Sequence, residues 1–220
     1  QQKNGLMIEN AKENSQRVEL KDRIIETASE AFTTHGIKSI TMDDIAASLG
    51  ISKRTLYEVF QDKESLLTQC ILKRQEEMNA FLAETLANSK NVLEVILVCY
   101  QRSIETFHRT NKRFFEDIKK YPKVHSLLKN YRERDSDSTI EFFKMGIKQG
   151  IFRDDVNFAI VNLLVHEQLD LLMNTDICNK YSFLEVYEAI MFTYIRGIST
   201  EKGAKVLEDF ITEYRKQRIH

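Results

Sequence analysis

One proline, Pro122, and seven glycines in 220 residues leave little material for the turns of an all-β chain. Folds made of many short strands need a turn residue every few positions, so this scarcity argues for long helices. Cysteine is sparse too. Cys70, Cys99 and Cys178 are odd in number, widely spaced and set in apolar helical patterns, which argues against a disulfide framework and suits a reduced, cytoplasmic protein. None has a basic neighbourhood that would activate a thiol, so they read as buried structural side chains. The longest apolar stretches are interrupted by Glu, Asp, Gln or Arg, so neither a membrane span nor a signal peptide is expected. An excess of either charge is also missing: 32 Lys and Arg stand against 33 Asp and Glu, a formal net charge of −1. Bulk neutrality does not exclude nucleic acid, because positive charge is needed only on a docking face.

The chain does have the length for a compact N-terminal domain and a larger helical one, with ample apolar residues for both cores. The most informative stretch is Thr41–Phe60. Met42, Ile45, Ala46 and Leu49 fall at i, i+3, i+4 and i+7, one apolar stripe of a short helix. Thr41 is placed to cap it, with Asp44 completing an aspartate variant of the capping box. Gly50 follows the last apolar residue, where a left-handed backbone suits glycine. Ser52 then caps a second helix whose inner stripe is Leu56, Val59 and Phe60. That leaves Lys53, Arg54, Tyr57 and Glu58 facing outward, and Asp62 to cap a third helix. Two short helices joined by a glycine turn, the second with a basic outer face, have the form of a DNA-reading helix-turn-helix.

At these residues the chain resembles the TetR (tetracycline-repressor) family of transcriptional regulators. The likeness is carried by Ile24, Ala28, Phe32 and Gly36, and then by the run Gly50-Ile-Ser-Lys-Arg-Thr-Leu-Tyr-Glu-Val-Phe-Gln-Asp-Lys-Glu-Ser-Leu-Leu67. It spans about Arg17 to Cys70; beyond that only length and helical character agree. The resemblance implies DNA contacts at Thr41, Ser52, Lys53, Arg54, Thr55, Tyr57 and Lys63. Thr41, Ser52, Tyr57 and Lys63 suit phosphate contacts, which set register without reading sequence, and Arg54 suits a guanine edge. The family often has an aromatic or histidine pair after the position of Tyr57, where this chain has Glu58 and Val59. Glu58 would repel phosphate, so it either points away from the backbone or accepts from a cytosine amino group.

The expected architecture is all-α: a flexible tail over 1–16, a helix-turn-helix DNA-binding domain over 17–70, and a helical ligand-binding and dimerisation domain over 71–220. Helices are expected to about Leu86, from Val92 to His108, from Lys112 to Tyr121, and from Pro122 to a stop at Gly150. Three more follow over 158–174, 182–197 and 204–215, after a loop at 150–156. The pair 158–174 and 182–197 is apolar almost all round, which predicts a symmetric four-helix homodimer interface; the alternative is that both helices are central within one subunit. By analogy with the family, a pocket for a mainly apolar small molecule is expected among Tyr100, Ile104, Phe107, Phe115, Leu128, Tyr131, His166 and Asp170. Plain core packing is the alternative for each.

His166 and Asp170, four apart on one helical face, resemble a zinc-protease motif only in part, because the second histidine is missing. The chain has no nucleophile–base–orienter set, phosphate-cradling glycine loop or paired cysteines. Neither a catalytic residue nor a metal or other cofactor is therefore expected. The function so indicated is a ligand-responsive regulator, a repressor, that binds a near-palindromic DNA operator as a dimer. The alternatives are a DNA-binding regulator without an effector, or a helical metal-binding protein or enzyme using His125, His166 and Asp170.

Overall fold

The computed structural model describes residues 2–124, 126, 127, 130, 136–174 and 176–218. Its helices are α1 (Gln2–His35), α2 (Met42–Leu49), α3 (Lys53–Val59), α4 (Lys63–Asn88), α5 (Val92–Arg109), α6 (Lys112–Ile118), α7 (Ser136–Lys148), α8 (Phe158–Asn174), α9 (Ile177–Lys180), α10 (Phe183–Ile198) and α11 (Glu201–Arg218). Among the described residues there is no strand, only an isolated antiparallel bridge between Phe152 and Ser199, so the fold is all-α. The segment 2–16, expected as a tail, continues α1. It holds no proline and is rich in Gln, Lys and Glu, which carry little helix penalty. Pro122 to Val124 are helical as expected, while most of the following stretch to residue 135 lies outside the described residues.

The chain divides into two compact units, 1–78 with 107–129 and 79–106 with 130–220. The division falls within α4 and α5, and α6 belongs with the N-terminal helices rather than with everything past residue 70.

In the first unit, Ile24, Ala28 and Phe32 form one stripe of α1 and are fully buried. They pack with Ile45 and Ala46 of α2, Leu56 of α3, Leu66 and Leu67 of α4, and Phe114 of α6. Each buried Ile, Leu or Phe among them contributes about 1.5–3 kcal/mol. Gly36 ends α1 with φ +87°, and a Cβ built there would stand 2.7 Å from the Cβ of Arg113. The missing side chain is thus what lets α6 approach. Asn111, which caps α6, donates its backbone N–H to the Thr33 carbonyl at 2.7 Å and its side-chain amide to the Thr34 carbonyl at 3.0 Å.

In the second unit, Leu93, Leu97, Tyr100 and Ile104 form the buried stripe of α5. It packs with Phe143 of α7, Phe192 and Ile195 of α10, and Leu207, Ile211 and Tyr214 of α11. Tyr100 is the hub: the rings of Tyr187, Phe192, Phe210 and Tyr214 surround it at centroid distances of 5.3, 5.2, 6.2 and 5.8 Å. Asn91 caps α5 by accepting from the Leu93 and Glu94 amides, and Ser182 with Glu185 forms a full capping box on α10. The 150–156 loop is held to the turn after α10 by Arg153 N–H to Ile198 O at 2.9 Å and Thr200 N–H to Ile151 O at 3.0 Å.

The two left-handed glycines of the first unit should respond differently to alanine. At Gly50 nothing lies within 4 Å of the added methyl, so G50A costs only the backbone term, about 1–2 kcal/mol. G36A adds a collision with Arg113 and should lose clearly more stability in urea unfolding. Equal losses would contradict the close approach of α6.

Candidate nucleic-acid interface

Local hydrogen bonds build the helix-turn-helix. The Thr41 hydroxyl accepts from the Asp44 N–H at 3.1 Å, while the Asp44 carboxylate accepts from the Thr41 N–H at 2.8 Å and from its hydroxyl at 2.6 Å. These bonds from Thr41 hold the Asp44 carboxyl below its ordinary range. Gly50, at φ 67°, turns the chain out of α2. Its N–H reaches the Ala47 carbonyl and the Ile51 N–H reaches the Ala46 carbonyl, both at 3.1 Å, which is the pairing of a Schellman turn. Ser52 starts α3 by accepting from the Thr55 N–H at 3.0 Å, and the Ser52 and Thr55 hydroxyls share a further bond at 2.8 Å. Leu56 and Phe60 are buried beneath, so the orientation of α3 about its own axis is set by the core.

The structure brings the seven expected contact residues to the N-termini of α2, α3 and α4. Ser52, Lys53, Arg54 and Tyr57 are exposed on α3, Thr55 is half-buried beside them, Thr41 is exposed at α2, and Lys63 is half-buried at the start of α4. Lys53 lies 2.9 Å from Asp43, whose hydrogen bond raises its pKa, and its ammonium stands 5.9 Å from the Tyr57 ring centre. Lys63 sits 5.8 Å over the Phe32 ring; burial lowers its pKa, opposed by the charges of Asp117 and Asp44. Glu58 points along the helix to Arg54, accepting from Nε at 3.0 Å. The Arg54 side chain remains 89% exposed, and its two Nη groups make no hydrogen bond among the described residues.

The residues expected to line a ligand pocket are distributed differently. Tyr100 and Ile104 are in the packed core of the second unit, whereas Phe107 and Phe115 stack on each other at 5.4 Å in the first. His166 is half-buried on α8; Leu128, Tyr131, His125 and the Asp170 side chain lie outside what is described. A groove of about 800 Å³ in the second unit is lined by none of the eight. It lies among α4, α5 and α11, three segments far apart in sequence, and no local pattern announces it. Among the described residues no three His, Cys, Asp or Glu could hold a metal, and no helix is long and apolar enough to cross a membrane. Burial pushes the Cys70 thiol up to about 11, which keeps it from acting as a thiolate near neutrality.

Residues 24–70 match the model of the bacterial regulatory proteins, tetR family. The repressor KstR2 of Mycobacterium tuberculosis is 23% identical over 160 residues, covering 70% of this chain and 78% of that protein. A helix-turn-helix-type transcriptional regulator of Staphylococcus aureus strain USA300 is 38% identical over 76 residues, 34% of this chain and 36% of its own. Among solved structures, a protein from Saccharomonospora viridis in complex with choline superposes with a TM-score of 0.66 at 18% identity, covering 84% of this chain and all of that one. The ketosteroid regulator KstR2 of M. tuberculosis does so with a TM-score of 0.52 at 18% identity, covering 82% and 95%. At these identities the structural likeness shows the fold.

Asp117 of α6 ties the turn before α2 to the rest of its unit. Its carboxylate, in a residue only 7% exposed, accepts from the Lys38 N–H at 2.8 Å and lies 3.4 Å from the Lys120 ammonium. Burial alone would push this carboxyl up; the Lys38 hydrogen bond and Lys120 outweigh it and hold it below the usual range. A folded value below the unfolded one contributes stability that is fully present above the unfolded pKa, about 3.9, and is lost as pH falls through the folded value. At pH 7, D117N should therefore be less stable than the parent by about 1.5–3 kcal/mol, the worth of a hydrogen bond to a charged group. The gap should close as pH drops below 4, read by urea unfolding across that range. A gap independent of pH would contradict the assignment.

Proposed function

We propose that this chain, whose residues 24–70 match the tetR family of bacterial regulatory proteins, is an effector-controlled repressor of that family that binds a near-palindromic operator as a homodimer. The observation that carries this reading is the free outer face of α3, fixed from beneath by Leu56 and Phe60. Lys63 and Tyr57 contact phosphates, one by point charge and one by hydroxyl. The Thr41 and Ser52 hydroxyls already serve as caps, so their contribution to phosphate binding runs through the helix N-termini they shape. Glu58 holds Arg54 by Nε and leaves both Nη groups to donate to O6 and N7 of a guanine. In that role the glutamate orients the reader and neutralises its own charge next to the DNA.

The partner is a second copy. On α8, Ile160, Leu163, Leu164 and Leu171 are 55%, 60%, 54% and 58% exposed and follow one helical stripe. Four large aliphatic side chains left open on one face ask for a cover. Beside them α10, which packs on α8, exposes the small residues Ala189, Thr193 and Gly197 at intervals of four, so a facing helix could approach closely. A dimer built there presents two copies of α3 about 34–36 Å apart, or a multiple of that, to meet successive major grooves. An effector in the second unit lowers affinity by favouring a dimer of different spacing, and it does so only if it binds the two states unequally. The work takes place in the cytoplasm, where the DNA is and where the thiols of Cys70, Cys99 and Cys178 stay reduced.

Y57A and K63A should weaken binding to every sequence alike, and each lost phosphate contact should reduce the slope of log K against log salt by about 0.9. R54A should instead cost about 1–3 kcal/mol at one base position and relax the preference there. Fluorescence anisotropy on operator fragments selected from genomic DNA measures both. If Y57A and K63A bound like the parent, this docking of α3 would be wrong.

A further inference from the structure

The effector class has to come from this chain's own side chains. The groove in the second unit has a one-sided lining. Glu84 of α4, Glu94 of α5, and Asp209 and Glu213 of α11 bring four carboxylates to it, and no Lys, Arg or His is among the lining residues. The charges are not equivalent. Glu94 accepts from the Lys90 N–H at 2.8 Å, and Glu213 lies 3.1 Å from the Lys216 ammonium. Glu84 and Asp209 have no ion pair or side-chain hydrogen bond among the described residues.

The apolar part of the lining combines three aromatic rings with Leu97, Val98 and Val206. Phe81, Phe210 and Tyr214 face the groove with Leu97, and Phe210 and Tyr214 stack at 5.6 Å while meeting the core residue Tyr100 edge-on. Arg102 covers one face of Phe81, its guanidinium carbon 4.1 Å from the ring centre, in a cation–π contact. A second polar group is held within. Thr85 lines the groove at 8% exposure, and its hydroxyl has no hydrogen-bond partner among the described residues. The hydroxyl still meets solvent in the groove, so a ligand that displaces that water has to bond to it in turn.

We propose that this groove binds an amphipathic organic cation, with its ammonium or iminium group between Glu84 and Asp209, its apolar body on Phe81, Phe210 and Tyr214, and a polar atom on Thr85. The inference rests on the reading of the second unit as the effector-binding part of the molecule and names the ligand class. A neutral apolar ligand would leave the two exposed carboxylates of Glu84 and Asp209 unused, and an anion would meet four like charges. A bare divalent ion is not served either, since these acids do not converge into a metal-binding group. At about 800 Å³ the groove takes a ligand of drug size. Cation–π contact with the ring faces adds to the attraction of the carboxylates.

The test uses the full chain and rhodamine 6G, a flat aromatic cation, titrated by fluorescence anisotropy, with anionic fluorescein as the control. Saturable binding of rhodamine 6G is expected, with affinity reduced about tenfold or more in E84Q/D209N and severalfold in T85V. On the unmodified chain, benzyltrimethylammonium should displace the dye and benzyl alcohol should not, a comparison that needs no variant to fold. Equal binding of fluorescein, displacement by benzyl alcohol at matching concentration, undiminished affinity in a folded E84Q/D209N, or no saturable binding of the cation would each overturn the proposal. Operator release is read in the same samples. Cation binding without release supports the groove while removing the effector role; release by a neutral ligand, with no cation bound, removes the groove and keeps that role.

Discussion

The left-handed turn at Gly50 is the constraint on which the helix-turn-helix depends. A helix end leaves carbonyls without partners, and here the Gly50 and Ile51 amides turn back to satisfy those of Ala47 and Ala46. That reversal delivers Ser52 directly to its capping position, so the end of α2 and the start of α3 are one continuous hydrogen-bonded unit. Leu56 and Phe60 then lock α3 to the core from below. With both its entry and its underside specified, the core sets how α3 is turned about its axis, and Arg54, Tyr57 and Lys53 are presented outward. Preorganisation of this kind spares a DNA-binding helix the ordering cost that a disordered segment meets on binding.

The same economy runs through the electrostatics of that face. Lys53 leans on Asp43 and Arg54 on Glu58, so two of its cations have acidic neighbours within hydrogen-bonding reach. All four groups are well exposed, and ion pairs in such positions contribute little to stability. Their value lies in direction: a guanidinium held by one nitrogen keeps its other two nitrogens in a known plane. Bulk neutrality thus coexists with exposed cations on the outer face of α3, because charge is sorted locally and not over the whole chain.

The features that could be read from residues alone are those whose partners lie within a turn or two of each other. Thr41 with Asp44, Ser52 with Thr55, the Gly50 stop and the Ser182–Glu185 box are local, so the identity and spacing of the residues carry them. The all-α class followed equally from scarce proline and glycine. What could not be read is long-range. Asp117 accepts from Lys38 across 79 positions, and Asn111 reaches Thr34 across 77, so nothing in either local pattern assigns α6 to the first unit. The helical continuation of α1 to Gln2 replaces an expected tail, because polarity alone does not separate a solvated helix from coil. The groove needs α4, α5 and α11 together, and its acids at 84 and 209 are 125 positions apart.

The central claim is that two copies of α3, joined through the open face of α8, read one operator. Hydroxyl-radical footprinting of the full chain on a selected genomic fragment, beside the variant L163E/L164E, tests it most directly. The account predicts two protected patches on one face of the duplex, centred about 10–10.5 base pairs apart or a multiple of that, with half-sites related by an approximate dyad. It also predicts that L163E/L164E, still helical but monomeric by sedimentation, loses the paired footprint at the same protein concentration. A single protected patch from the parent, or a paired footprint undiminished in the variant, would contradict it.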